Sequence, residues 1–457
     1  MENPHALVLP FPAQGHVIPC MELSHCLIDH GFKITFMNTD SIHARVMAAL
    51  PKMGGVHGQI RLVSIPDGMA PGEDRSQPEK LYDCFLRVMR VHLEEFIRKR
   101  NESDHDKITC LIADGCMGWA VEVAVKMGIR GVAFWTLPMS FCAYVFHVPK
   151  LIEDGIIDDN GFPTKQQMIK LSPTMPALNT SHLIWLCLPD HISKPSIFRY
   201  LNKCTQAAKS ADWHLCNSFY DIEPSAFELV PKILPIGPLS VGRRLGLLEG
   251  NFWLEDSSCL SWLDEQPAHS VIYIAFGSYT IFNQRQFHEL ALGLELSNRS
   301  FLWVVRPNLT DGSSDAYPDG FEARVANRGR IIGWSPQQKV LAHPSIACFL
   351  THCGWNSTME GLSNGVPFLC WPYFADQFQN QTYISHVWKV GLELKHNSSG
   401  IITREEIKGK LDELVGDNVI RARSLELQQI AQKNVTEGGA SFKNFNNFIE
   451  AIKLEKC

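Results

Sequence analysis

The sequence predicts an α/β chain of two facing doubly wound domains with a cleft between them, and three observations predict it. Short β-rich runs alternate with helical stretches through both halves, the pattern of parallel strands joined by crossover helices. At 457 residues the chain exceeds one ordinary core and suggests two or three domains of roughly 150 residues each. From Pro235 to Ser258, PIGPLSVGRRLGLLEGNFWLEDSS carries Gly, Pro and charge without periodicity, as connectors between domains do. The expected division is an N-terminal domain over 1–240, a linker over 241–258, a C-terminal domain over 259–435 and a terminal segment over 436–457.

In the first half the expected strands are HALVLPF (His5–Phe11), KITFMNT (Lys33–Thr39), IRLVSIP (Ile60–Pro66), ITCLIAD (Ile108–Asp114) and RGVAFW (Arg130–Trp135), with ADWHLCNSF (Ala211–Phe219) as the last. Between them, VIPCMELSHCLIDHG (Val17–Gly31) and EKLYDCFLRVMRVHLEEFIRKR (Glu79–Arg100) place apolar residues at helical spacing. Pro19 suits the start of the first of these helices. A Pro- and Ser-rich middle contains LNTSHLIWLCLPD (Leu178–Asp190), which reads as loop and pocket wall. The second half repeats the alternation with VIYIAFGS (Val271–Ser278), SFLWVVR (Ser300–Arg306), RIIGW (Arg330–Trp334), IACFLTH (Ile346–His352), VPFLCWP (Val366–Pro372) and VGLEL (Val390–Leu394), and ends in three helical patterns between Thr403 and Ile452.

Composition narrows the function. With 45% apolar residues each domain can bury a core, and a net charge of −6 with interspersed signs offers no basic stripe for nucleic acid. The 14 cysteines are scattered with no CxxC pair, which fits reduced thiols in a cytoplasmic protein. A strand begins almost at the N-terminus, leaving no room for a secretory leader, so the sequons at Asn179 and Asn308 are expected to go unused. The apolar run Val132–Pro149 is broken by two prolines, a histidine, a serine and a threonine; it reads as a buried strand turning into a buried helix and not as a membrane span. No GxGxxG follows a strand and no GxxxxGK[ST] occurs, so a dinucleotide-binding reductase and a P-loop enzyme both lack their fingerprints.

The most informative stretch is WSPQQKVLAHPSIACFLTHCGWNSTMEGLSNGVPFLCWPYFADQ, from Trp334 to Gln377. A strand runs into a Gly354-Trp355-Asn356-Ser357 turn where Asn356 or Ser357 can cap a following helix, whose free N–H groups suit a diphosphate. Glu360, one turn on, can accept from two vicinal hydroxyls. Trp334 offers a flat ring for a base, and Asp376-Gln377 offer acceptors and donors for sugar hydroxyls. This stretch resembles the signature box of plant secondary-metabolite UDP-glycosyltransferases, pinned by Trp334, Gln337, His343-Pro344, His352 to Ser357, Glu360, Gly365-Val366-Pro367, Trp371-Pro372 and Asp376-Gln377.

The resemblance implies the GT-B fold, two Rossmann-like domains with the acceptor on the N-terminal one and the UDP-sugar on the C-terminal one, and a last helix that packs back onto the N-terminal domain. It implies that Trp334 stacks on uracil, Glu360 holds the ribose, His352, Asn356 and Ser357 touch the diphosphate, and Trp355, Asp376 and Gln377 face the sugar. Gly15, Ser278 and Gln337 join the donor site, and Thr136 meets the sugar's 6-hydroxyl. Glutamine at 377 accompanies glucose donors.

His16, in FPAQGHVIP after the first strand, and Asp114, ending the fourth, become neighbours if the strand order is 3-2-1-4-5, at the switch point where such sheets bind ligands. Spacing alone leaves Asp114 equally readable as the N-cap of the helix that follows. The resemblance makes His16 the general base for an acceptor hydroxyl and Asp114 its orienting carboxylate, so that an α-linked UDP-sugar is displaced with inversion to a β-glycoside. No zinc spacing occurs, and the Asp104-His105-Asp106 triplet lies in a charged run that reads as solvated loop, so no metal or other cofactor is expected. His352, Ser278 and the helix start would then stabilise the departing UDP by charge-assisted hydrogen bonds. The partners expected are UDP-glucose and a lipophilic acceptor bound near Phe85, Met89, Met117, Trp119 and Phe141, with the chain acting as a monomer. A silent nucleotide-sugar-binding protein would explain the box alone and leave His16 and Asp114 unexplained.

Overall fold

The computed structural model describes residues 3–50, 60–75, 77–102, 106–187, 193–241, 250–311 and 317–454. Two parallel sheets carry the fold. The first contains β1 (His5–Leu9), β2 (Lys33–Thr39), β3 (Ile60–Ile65), β4 (Cys110–Asp114) and β5 (Arg130–Trp135); after a short antiparallel pair, β6 (Met168–Ile169) and β7 (Leu178–Asn179), it is completed by β8 (Trp213–Cys216) and β9 (Ile233–Pro235). Its order is β3-β2-β1-β4-β5-β8-β9, so the expected 3-2-1-4-5 arrangement is present. The expected last strand is followed by β9, three residues ending in proline, too short to show any period. The second sheet contains β10 (Val271–Ala275), β11 (Ser300–Val304), β12 (Gly329–Ile332), β13 (Ile346–Thr351), β14 (Phe368–Cys370) and β15 (Gly391–Glu393), in the order β12-β11-β10-β13-β14-β15.

Each sheet is covered on both faces, which is why its strands read as nearly unbroken apolar runs. In the first, Leu7, Leu9, Leu111 and Trp135 enter one core while Ala6, Val8, Ile112 and Phe134 enter the other. In the second, Val271, Tyr273 and Phe349 alternate in the same way with Ile272, Ile274 and Leu350. Strand order reverses at β1/β4 and at β10/β13, and both switch points open into the cleft between the domains. The final helix, Ala440–Leu454, lies on the first sheet: Phe448, Ile449 and Ile452 share a core with Ala6 and Val8, and Asn444 Nδ2 donates to the carbonyl of Pro235 at 2.9 Å.

The first helix runs Gln14–Asp29, from the extended Ala13, so Pro19 lies inside it and not at its start. A proline has no N–H for the carbonyl four residues back, and the carbonyl of Gly15 is thereby left open. The amphipathic stretch around residues 79–100 is continuous but not uniform: α-helix over Pro78–Cys84, a wider π turn over Phe85–Met89, then α-helix over Arg90–Asn101. The apolar run after β5 becomes two short helices, Met139–Phe146 and Val148–Glu153, and among the described residues no helix is long and apolar enough to cross a membrane.

Candidate active site

His16 is the third residue of the first helix, and its Nδ1 stands 2.9 Å from Asp114 Oδ2 at the end of the adjacent strand β4. Thr136, just past β5, donates its hydroxyl to the same oxygen at 2.9 Å and lies 2.9 Å from His16 Nδ1. With the Nδ1–H directed at a carboxylate, Nε2 is left as the free acceptor of the ring. The His16 side chain is 16% exposed and lines the cleft cavity, whereas that of Asp114 is 1% exposed behind it. The other oxygen of Asp114 accepts from Cys116 N at 2.8 Å and caps the short turn Gly115–Met117. Asp114 therefore orients and caps at once, and the element it caps is this turn and not the helix Trp119–Lys126. The hydroxyl hydrogen of Thr136 is spent on Asp114, so a sugar can reach Thr136 only through the lone pairs of Oγ1.

The C-terminal side of the cavity is built at the β10/β13 switch. The imidazole of His352 lies between two glycines: a Cβ on Gly277 or on Gly354 would stand 2.5 Å from its Nε2. Cys353, between His352 and Gly354, holds φ at 62°, a left-handed conformation that costs a non-glycine residue on the order of 1–3 kcal/mol and persists where the surroundings over-determine it. Burial, helped by the Arg306 charge, lowers the His352 pKa to about 4, so the ring is neutral at pH 7 and has a single N–H to give; the charge in the charge-assisted bond expected above would come from the phosphate alone. The helix Trp355–Ser363 starts from Gly354 without a side-chain cap. Neither Asn356 nor Ser357 caps it; both lie in its first turn, because the backbone is already helical at Trp355. Asn356 Nδ2 instead donates across the cleft to the open carbonyl of Gly15 at 2.5 Å, and Ser357 Oγ accepts from Gln337 Nε2 at 2.9 Å.

Glu360 accepts from Gln337 Nε2 at 2.6 Å and from Gln338 Nε2 at 3.2 Å. Trp253 stacks on Trp334 with ring centroids 4.6 Å apart, leaving the other face of Trp334 for a planar base. Trp355 Nε1 is taken by the carbonyl of Asn217 at 2.9 Å. Asp376 Oδ2 accepts from Asn380 Nδ2 at 2.7 Å, and Gln377 Oε1 accepts from the backbone N–H groups of Tyr373 and Phe374 at 2.8 and 3.1 Å, so Gln377 faces the cavity as a donor. Every residue assigned above to the donor, from Gly15 to Gln377, lines one cavity of about 840 Å³ together with His16.

Phe85 and Phe141 line the far end of the same cavity. Met117 and Trp119 do not: with Met89 they are wholly buried in the core that underlies this wall, where Met117 Sδ accepts from Tyr200 OH at 3.4 Å. The wall is completed by Phe11, Tyr82, Ile184, Ile197 and Tyr200, the two tyrosines stacked at 4.1 Å. Tyr82 was legible in principle, three residues before Phe85 on the same helical face. Beside this wall the Arg75 guanidinium grips Asp67 through two hydrogen bonds of 2.6 and 3.1 Å.

Asp106 is paired with Arg100 and His5, and Asp104 and His105 lie outside the described residues. Among the described residues, metal-ligating side chains gather only at His16, Asp114 and Cys116, within 4.8 Å of one another. Burial pushes up Asp376 to about 6 and Glu360 to about 7 in the cleft, raises Glu255 beside them, and pushes Glu22, which faces Glu360, to about 8. A group that holds its proton more tightly folded than unfolded stabilises the fold less as pH rises through its folded pKa. The buried His5, His214 and His352, lowered to about 4, act in the opposite sense, but their contribution is complete above about pH 6.5. The melting temperature of the ligand-free protein is therefore expected to fall between about pH 6.5 and 8.5, less steeply in Glu360→Gln. A melting temperature that climbs across that window would mean these carboxyls ionise freely in the fold.

Comparison with known proteins agrees with this geometry. The family described as UDP-glucoronosyl and UDP-glucosyl transferase matches residues 254–437. Over its whole length the chain is 42% identical to UDP-glycosyltransferase 83A1 of Arabidopsis thaliana, covering 98% of that protein. Over 99% of its length it is 33% identical to linamarin synthase 1 of Manihot esculenta, again covering 98%. Among solved structures, a UDP-glucosyltransferase from Polygonum tinctorium capable of glucosylating indoxyl superposes with a TM-score of 0.83 at 27% identity, covering 99% of both chains. Os79 from O. sativa, in complex with UDP, superposes with a TM-score of 0.81 at 27% identity, covering 98% of this chain and 100% of that one. With a relative this similar from end to end, and with the signature box lining the cleft of a two-sheet fold, the chain belongs to the plant secondary-metabolite UDP-glycosyltransferases, enzymes of the GT-B fold.

Proposed function

We propose that this enzyme transfers glucose from UDP-glucose to a hydroxyl of a lipophilic small molecule, phenolic or terpenoid, with inversion. The reading rests chiefly on one observation, the His16–Asp114–Thr136 cluster, which opens into the same cavity as the Trp355–Ser363 helix start and Glu360. His16 Nε2 takes the acceptor proton as the oxygen attacks the anomeric carbon; the bond from that carbon to the phosphate oxygen breaks, and UDP leaves with the electron pair. Asp114 stabilises the imidazolium. The N–H groups of the first helical turn, Ser278 and the neutral His352 receive the charge on UDP. The apolar wall from Phe11 to Tyr200 supports a lipophilic acceptor, and the free thiols of the described cysteines support a reducing, cytosolic setting.

UDP release from UDP-glucose, followed with and without a panel of phenolic and terpenoid alcohols, tests the reading. Acceptor-dependent release is expected, unchanged within about twofold in EDTA, because hydrogen bonds and not a cation hold the diphosphate. No release with any alcohol, or strict Mg²⁺ dependence, would overturn it. Donor choice adds a second expectation. Gln377 offers the sugar only its amide hydrogens, and a buried donor left unpaired costs about 1–3 kcal/mol. UDP-glucose should thus exceed UDP-galactose by about one to two powers of ten in kcat/KM, and Gln377→His, which also loses the tie to Tyr373 and Phe374, should narrow that ratio by losing glucose activity. An unchanged ratio in the variant would remove Gln377 from sugar recognition.

A further inference from the structure

Glu22 lies two turns into the first helix, on the N-terminal side of the cleft, and is 9% exposed. Its Oε1 accepts from Gln338 Nε2 at 2.6 Å, and the same nitrogen donates to Glu360 Oε1 at 3.2 Å. An amide NH₂ has two hydrogens, so one nitrogen serves both carboxyls. The other oxygen of Glu360 is held by Gln337 Nε2 at 2.6 Å, and Gln337 is itself fixed by the Tyr273 hydroxyl, 3.0 Å from its Oε1. The plane of the Glu360 carboxyl is therefore set by two adjacent amides. One is anchored inside the C-terminal domain; the other is anchored from the opposite domain, by Glu22.

The same helix meets the C-terminal domain at one further point and the segment between the domains at another. Gly15 gives Asn356 the carbonyl that Pro19 leaves open, and Gln14 bonds Asn251 and the N–H of Phe252 at 2.9 Å each. Thus the first half of the helix that carries His16 is docked across the cleft, with Asn251, Gln338 and Asn356 of the cavity lining among its partners. Among the described residues neither Glu22 nor Glu360 has a cation beside it, so the position of Gln338 is governed by these hydrogen bonds and not by an ion pair.

We propose that Glu22 is a positioning residue for the donor's ribose: through Gln338 it holds the Glu360 carboxyl toward the cavity, so that the vicinal ribose hydroxyls are fully bound only when the first helix is docked across the cleft. This rests on the reading of the cavity as a UDP-sugar site. Calorimetric dissociation constants for UDP and for 2′-deoxy-UDP separate positioning from a merely structural role. Glu22→Ala is expected to weaken UDP about tenfold, the scale of one lost buried hydrogen bond, and 2′-deoxy-UDP by no more than about twofold. Glu22→Gln, whose carbonyl still accepts from Gln338, should return UDP binding to within about twofold of wild type, and Gln338→Leu should reproduce the alanine effect from the other side. Equal weakening of both nucleotides in folded Glu22→Ala, or unchanged UDP binding in both Glu22→Ala and Gln338→Leu, would overturn the proposal; if Glu22→Ala does not fold, Gln338→Leu decides alone. A wild type that binds neither nucleotide would overturn the donor-site reading beneath it.

Discussion

His16→Ala is expected to lower turnover with an alcohol acceptor by about 10² to 10⁴, the usual worth of a positioned general base. That corresponds to roughly 3 to 5 kcal/mol of barrier. The side chain sits at the mouth of the helix, partly exposed, and meets only the edge of the core through the ring of Phe11 at 5.0 Å, so the melting temperature should change little. UDP should bind as before, since His16 holds no part of the nucleotide in this scheme. The measurement is single-turnover kinetics at saturating UDP-glucose together with a thermal melt. Near-normal rates in a folded variant would remove His16 from the chemistry.

Asp114 should separate orientation from capping when replaced in two ways. Asparagine keeps one carbonyl oxygen, enough to cap Cys116 N, but turns its NH₂ toward His16 Nδ1. The imidazole then carries its proton on Nε2, where the acceptor hydroxyl needs a bare nitrogen. Turnover in Asp114→Asn is thus expected to fall by about 10² to 10⁴ with the melting temperature nearly kept. Alanine loses the cap as well, worth about 0.5–2 kcal/mol, so Asp114→Ala should be equally slow and measurably less stable. An active Asp114→Asn would leave the carboxylate a cap and nothing more.

The strands were legible because both faces of each sheet are buried, and burial on two sides writes itself as Val8-Leu9 or Ile272-Tyr273-Ile274 without a polar gap. The β1/β4 pairing followed from strand order, and with it the meeting of His16 and Asp114. Local signals failed where tertiary context decided. The first helix begins at Gln14 without a capping side chain, so Pro19 was the only visible start signal and pointed too late. The acceptor wall was half legible, since a phenylalanine facing a cavity and a methionine facing a core are both apolar residues at helical spacing; only the backbone path after β4 sends Met117 and Trp119 inward while Phe85 and Phe141 reach the pocket. The bond from Gln338 to Glu22 joins positions 316 residues apart, and no local pattern announces it.

The most direct test of the central claim is the anomeric configuration of the product formed from α-linked UDP-glucose and an alcohol, read from the coupling of its anomeric proton. Attack by an oxygen deprotonated at His16 Nε2, in one displacement of UDP, predicts the β-glucoside alone. An α-glucoside would contradict the account, because retention requires a second displacement, or attack from the face the UDP occupies, and neither leaves His16 the role assigned to it.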